Sequence, residues 1–138
     1  MTRDELHKQV DDWAGKCSEE DWDGEHAMPV KPYTVNEAHI LVDLLPEEFL
    51  LDDELDVDIT PWGTYDFQWL DDKFSCFSIL VPGDNKLSYA YLMRGILETT
   101  KSGQCPFGER IPQEIKEVMD AWMEKRNAKR EDSGREGD

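Results

Sequence analysis

Apolar and polar residues alternate along 56–93, DVDITPWGTYDFQWLDDKFSCFSILVPGDNKLSYAYLM, and turn residues interrupt the alternation at intervals. A strand with one buried face requires this period of two, because successive side chains point to opposite sides. Val57 and Ile59 point one way and Asp56 and Asp58 the other. Tyr65, Phe67 and Trp69 share a face opposite Thr64, Asp66 and Gln68. Phe74, Cys76 and Leu80 oppose Phe77, Ile79 and Val81, so this strand suits cover on both sides. Leu87, Tyr89, Tyr91 and Met93 form the last row. Pro61-Trp62-Gly63, Leu70-Asp71-Asp72-Lys73 and Pro82-Gly83-Asp84-Asn85-Lys86 supply the breaks. The pattern predicts an antiparallel meander of four strands, the first one short.

Helical spacing flanks this block. In Thr2–Gly15, Leu6, Val10, Trp13 and Ala14 form one apolar stripe, Thr2 and Glu5 have capping-box spacing, and Gly15 is a stop. In Tyr33–Leu45, Val35, Ala38, Leu41, Val42 and Leu45 are the buried set, Thr34 and Glu37 repeat the capping-box spacing, and Pro46 ends the helix. In Pro112–Arg126 the stripe is Ile115, Val118, Met119 and Trp122. Between strands and last helix, Arg94–Arg110 reads as a Gly-rich loop. Residues 127–138, NAKREDSGREGD, contain no apolar side chain larger than Ala and predict a disordered tail. The fold class expected is α+β: one domain over 1–126, in the order ααββββα, with helices covering the aromatic face of the sheet. No internal repeat is visible.

The 138 residues fit one domain, and a chain of this length buries about 68% of its unfolded surface without a disulfide or metal. Charge changes the picture most. Thirty-two acids against fifteen bases leave a formal net charge of −17. That opposes direct contact with nucleic acid or an anionic membrane, and favours a cationic partner. Cys17, Cys76 and Cys105 are odd in number and far apart, which fits reduced thiols in a cytoplasm. The first ten residues lack the apolar core of a signal peptide, and no apolar run has the length of a membrane span.

Candidate chemistry is sparse. Asp21, Asp23, Glu25 and His26 lie in the wrong order for a calcium loop. His39 belongs to the polar side of its helix, where the spacing places no titratable partner beside it. Cys105 is the thiol expected to be exposed, with no base assigned to it, and Gly103–Gly108 lacks the ending of a phosphate loop. Cys76 reads as an inert strand thiol. Tyr65, Phe67, Trp69, Tyr89 and Tyr91 lack the cationic groove of a base-stacking platform, so they read as core. No catalytic residue, cofactor or metal is expected.

The order of Trp22-Asp23-Gly24, Ala27, Pro29-Val30, Thr34, Leu44-Leu45-Pro46, Phe67-Gln68-Trp69, Phe77-Ser78-Ile79 and Leu87-Ser88-Tyr89-Ala90 resembles a family of small uncharacterised bacterial proteins. Those proteins carry a W-D-G-Y-x-A-x-P-(I/V) opening, followed by a helix, antiparallel strands and a final helix. The likeness spans about Asp21 to Ala121. It departs at Glu25, where the family has Tyr, and over Leu92–Arg110. It implies the fold and no chemistry.

The functional expectation rests on Glu47, Glu48, Asp52, Asp53, Glu54, Asp56 and Asp58, a run without Lys or Arg that enters the first strand. Like charges this close repel by a few tenths of a kcal/mol per pair, a cost that a basic partner relieves. A solvated acidic loop is the plain alternative. The reading is an acidic, non-enzymatic protein that blocks a cationic surface on a basic partner such as a nucleic-acid-binding effector. A phage anti-CRISPR or anti-restriction inhibitor that imitates DNA has this size and charge. An antitoxin or immunity protein capping a basic toxin uses the same physics. An enzyme would need His7, His26 or His39 near an acid or Cys105 in a cleft.

Overall fold

The computed structural model describes all residues except 20, 21, 23, 25, 26, 53, 71–74, 94–98, 137 and 138, and for 93, 99, 126 and 128–136 the backbone alone. The chain runs α1 (Arg3–Lys16), α2 (Pro32–Leu44), α3 (Glu47–Leu50), β1 (Leu55–Ile59), β2 (Tyr65–Leu70), β3 (Cys76–Gly83), β4 (Lys86–Met93), β5 (Thr99–Pro106) and α4 (Gln113–Glu136). It is an α+β fold. One antiparallel sheet has the strand order β1-β2-β3-β4-β5, so each strand pairs with its neighbour in sequence. The four-strand expectation is corrected to five, because 99–106 pairs along the whole of β4, from Met93↔Thr99 to Lys86↔Pro106. Thr99, Thr100 and Lys101 precede Ser102 and Gly103, a stretch whose polar alternation carries no apolar row to announce a strand. The short α3 is likewise an addition to the expected elements. The last helix continues past Arg126 to Glu136.

Most of the large side chains of the alternating block go to one face, while Leu70 and Leu80 lie on the other. Val57, Ile59, Tyr65, Phe67, Trp69, Phe77, Ile79, Val81, Leu87, Tyr89 and Tyr91 are buried together with Leu6 and Val10 of α1, Ala38, Leu41 and Val42 of α2, and Ile115, Met119 and Trp122 of α4. Helices α1, α2 and α4 pack on β1, β3 and β4 respectively. An aromatic series crosses this interface. Trp69 stacks on Phe77 at 5.3 Å between ring centroids, and Phe77 meets Trp122 at 6.2 Å. The polar ends of several core and near-core rings reach backbone carbonyls, which removes the penalty of burying them. Trp69 Nε1 donates to Phe49 O at 3.0 Å, Tyr65 OH to Val10 O at 2.7 Å, and Trp13 Nε1 to Val57 O at 3.0 Å. The opposite face of the sheet carries Asp56, Asp58, Asp66, Gln68, Ser88 and Ala90, all of them half-buried or exposed.

The two capping-box expectations part ways. Thr2 does cap α1, its hydroxyl accepting Glu5 N at 3.1 Å, although α1 runs through Gly15 to Lys16. Thr34 and Glu37 do not cap α2, which starts at Pro32 after Lys31. Both side chains instead face the β3–β4 hairpin. Thr34 donates to Pro82 O, and Glu37 accepts Asn85 N at 2.8 Å. The hairpin turns through Asp84 and Asn85, both at positive φ (59° and 58°), as a two-residue primed turn requires. Gly83 sits at φ +94°, and a Cβ there would come within 2.5 Å of the Tyr33 ring and 2.6 Å of Thr34 Oγ1. The hairpin tip is therefore seated on the first turn of α2.

Candidate functional site

The acidic run divides. Glu47 and Glu48 are exposed in the first turn of α3, where negative charge suits the helix N-terminus. Asp52 is buried, and its Oδ1 accepts Glu54 N at 2.9 Å. It shapes the turn into β1. Asp53 lies outside the described residues. Glu54, Asp56 and Asp58 are exposed, the last two on the open face of the edge strand.

The register adds a carboxylate to the expected set. Asp58 lies directly opposite Asp66 of β2, and Asp56 opposite Gln68. Asp66 is half-buried, and its Oδ1 has no hydrogen-bond partner. Burial, and then the negative charges of Asp58 and Asp56, push its carboxyl above the usual carboxylate range. Among the described residues no Lys or Arg forms an ion pair with Asp56, Asp58 or Asp66; the ion pairs present are two His–Asp contacts. Alternation puts Asp66 on the polar face, and the short turn between β1 and β2 is the signal that it opposes Asp58.

That turn carries the most exposed large apolar side chain among the described residues. Trp62 is 75% exposed. Its backbone is fixed from below. Thr60 N donates to Thr64 O at 2.9 Å, Met28 N donates to Pro61 O at 2.8 Å, and Gly63 at φ +75° packs so closely that a Cβ would come within 2.8 Å of Pro29 O. Trp22 Nε1 donates to Met28 O at 2.8 Å and braces the supporting segment. Met28, on that segment, is also exposed. The Asp58–Asp66 pair stands one step from Ile59↔Tyr65, the last pair before the turn, roughly 3.4 Å along the strand. An exposed indole and carboxylates that no described Lys or Arg pairs with thus occupy one end of the sheet.

The helices hold a second constellation. His7 of α1 and His39 of α2 stack at 4.9 Å between centroids, with Nδ1 facing Nδ1 at 2.7 Å. His7 Nε2 lies 2.7 Å from Asp43 Oδ1, and His39 Nε2 lies 2.7 Å from Asp11 Oδ1. The reading of His39 as a surface residue without a titratable partner is therefore corrected. Its partners come from the other helix, which spacing along one helix does not show. The sequence does hold a signal. Residues 7–11 are HKQVD and 39–43 are HILVD, so a His-x-x-Val-Asp pattern occurs twice, once on each of two packed helices. In each, Val10 or Val42 is buried while His and Asp lie on the same side. Arg3 ties the helices together by donating to Val42 O at 2.6 Å and Leu45 O at 2.9 Å.

Cys105 is buried in β5, contrary to expectation. Its thiol donates to Glu114 Oε2 at 3.1 Å, while Tyr89 OH donates to Glu114 Oε1. Burial and then this hydrogen bond push the thiol up to about 11, so it is a poor nucleophile. Tyr89 is pushed up to about 12 by burial and by the Glu114 contact. The Glu114 carboxyl is lowered by its bonds from Tyr89 and Cys105.

Among the described residues no set of three or more His, Cys, Asp or Glu is arranged to hold a metal ion, and no helix is long and apolar enough to cross a membrane. Asp21, Asp23, Glu25 and His26, whose order departs from that of a calcium loop, lie outside those residues. No family model matches the chain, and no curated protein or solved structure matches it.

Proposed function

We propose that this chain is a non-enzymatic binding protein whose acidic sheet end occupies a cationic surface on another protein. The observation that carries the reading is the Asp58–Asp66 pair: two carboxylates directly opposite one another, with Asp56 adjacent and no Lys or Arg paired to any of them among the described residues. Like charges in that position are destabilising, and a basic partner turns the cost into a gain. Trp62 supplies what a charge patch lacks. An exposed indole on a backbone-braced turn is among the residue types most enriched at binding hot spots, and it attracts Arg and Lys through its ring face. The net charge of −17 speeds encounter with a basic target.

The partner class is a basic, nucleic-acid-binding effector, as for a phage-encoded anti-CRISPR or anti-restriction inhibitor. A basic toxin is the second target of the same chemistry, and the identity of the captured protein separates the two. Capture from the native host at low salt (about 50 mM) is expected to yield a basic protein released at about 500 mM. Asp56→Asn/Asp58→Asn/Asp66→Asn and Trp62→Ala are each expected to weaken capture at least about tenfold. A partner that binds both variants as tightly as the parent protein rules this surface out.

A further inference from the structure

We propose that His7 and His39 form a binding point for a late first-row transition-metal ion, Zn²⁺ or Cu²⁺ by ligand type, at the α1–α2 seam. The inference is independent of the acidic sheet end. The two carboxylates decide the orientation of each ring. Asp43 and Asp11 accept from the Nε2 atoms at 2.7 Å, which in the neutral rings leaves each Nδ1 with its lone pair. The two Nδ1 atoms then face each other at 2.7 Å. Two acceptors facing each other repel, so the geometry calls for a cation between them. A proton fits that separation. A metal ion at about 2.0–2.1 Å from each nitrogen, with a roughly tetrahedral angle between them, fits when the atoms stand about 3.3 Å apart, which needs about 0.6 Å of opening and a turn of each ring that brings both lone pairs to a point off the Nδ1–Nδ1 line. Side-chain rotation supplies that much at residues that are 26% exposed.

The surroundings match a metal-ligating histidine in a second way. Such a ring almost always donates its other N–H to a carboxylate or carbonyl, which fixes the ring and strengthens the ligand. Here both rings do so, each to an Asp from the opposite helix. The helices supply two imidazole ligands, and water completes the coordination sphere from the solvent side. Imidazole pairs suit zinc, copper and nickel rather than magnesium or calcium, with copper bound most tightly.

The test uses the full chain freed of metal, titrated with CuSO₄ and with ZnCl₂. One equivalent of copper is expected to bind with a Kd of about 10 µM or below and to raise the melting temperature by about 4 °C or more at saturation. His7→Ala and His39→Ala should each weaken copper binding about a hundredfold, and Asp11→Asn and Asp43→Asn about tenfold, while His26→Ala leaves it unchanged. A readout on the unmodified protein guards against variants that fail to fold. Copper-induced broadening in a ¹H–¹⁵N spectrum should centre on His7 and His39. Broadening centred on Asp56–Asp66, unchanged affinity in His39→Ala, or no saturable binding overturns the proposal.

Discussion

Asp66 shows how one side chain sets the energetics of its neighbourhood. Its carboxyl is half-buried, lacks a partner on Oδ1, and faces Asp58 across the ladder. Folding therefore raises the pH at which it ionises, with burial as the first cause and the Asp58 and Asp56 charges next. A carboxyl raised in this way contributes most to stability below the pKa it has in the unfolded chain. That contribution is lost as pH rises through the higher folded value. Asp66→Asn is expected to stabilise the protein by about 0.5–1 kcal/mol at pH 7 and to leave it nearly unchanged at pH 4. Urea midpoints at the two pH values check this, and an equal gain at both would show that charge is not the cause. Gly83 is the counterpart in backbone terms. Positive φ and the contact with Tyr33 and Thr34 together predict a loss of about 2–3 kcal/mol for Gly83→Ala in chemical denaturation.

At the scale of elements, β1 has two jobs in one sequence. Its inward residues Leu55, Val57 and Ile59 are buried, and its outward residues Asp56 and Asp58 lie on an edge strand, first in the sheet order. Charge on an edge strand prevents pairing with a second copy. Asp56→Thr/Asp58→Thr is accordingly expected to self-associate, seen as a concentration-dependent shift to a dimer in sedimentation. A variant that stays monomeric would leave partner binding as the better account of the acids. The alternating rows of β1 to β4 and the apolar stripes of α1, α2 and α4 are legible in the sequence because burial writes its period directly into residue type. The strand β5 is not, because Thr99–Pro106 has mostly polar residues and its pairing with β4 is a tertiary fact. The Thr34–Glu37 spacing misleads for a related reason: the hairpin tip takes those side chains, and Pro32 starts the helix earlier. Of the site, the outward acids are legible. The Asp58–Asp66 opposition and the meeting of the two His-x-x-Val-Asp segments need register and helix packing.

At the scale of the whole molecule, repulsion among the acids is the dominant long-range term. The chain carries −17, and among the described residues no Lys or Arg is ion-paired with a carboxylate. Added salt screens that repulsion over a Debye length of about 10 Å at 0.1 M. The melting temperature is expected to rise by a few degrees between about 20 mM and 500 mM NaCl, with most of the rise in the lower half of the range. A melting temperature that falls with salt would mean that attractive pairs outweigh repulsive ones, and would count against a surface lacking its cationic complement.

Glu114 grips two strands at once, taking one hydrogen bond from the Tyr89 phenol and another from the Cys105 thiol. Because buried Cys105 is bonded to Glu114 in the first turn of α4, lifting that turn away is expected to expose its sulfur to an alkylating reagent. At a fixed alkaline pH the labelling rate of this one thiol is thus a stopwatch for α4 detachment. Glu114→Gln should make it run faster even where the global unfolding midpoint hardly moves.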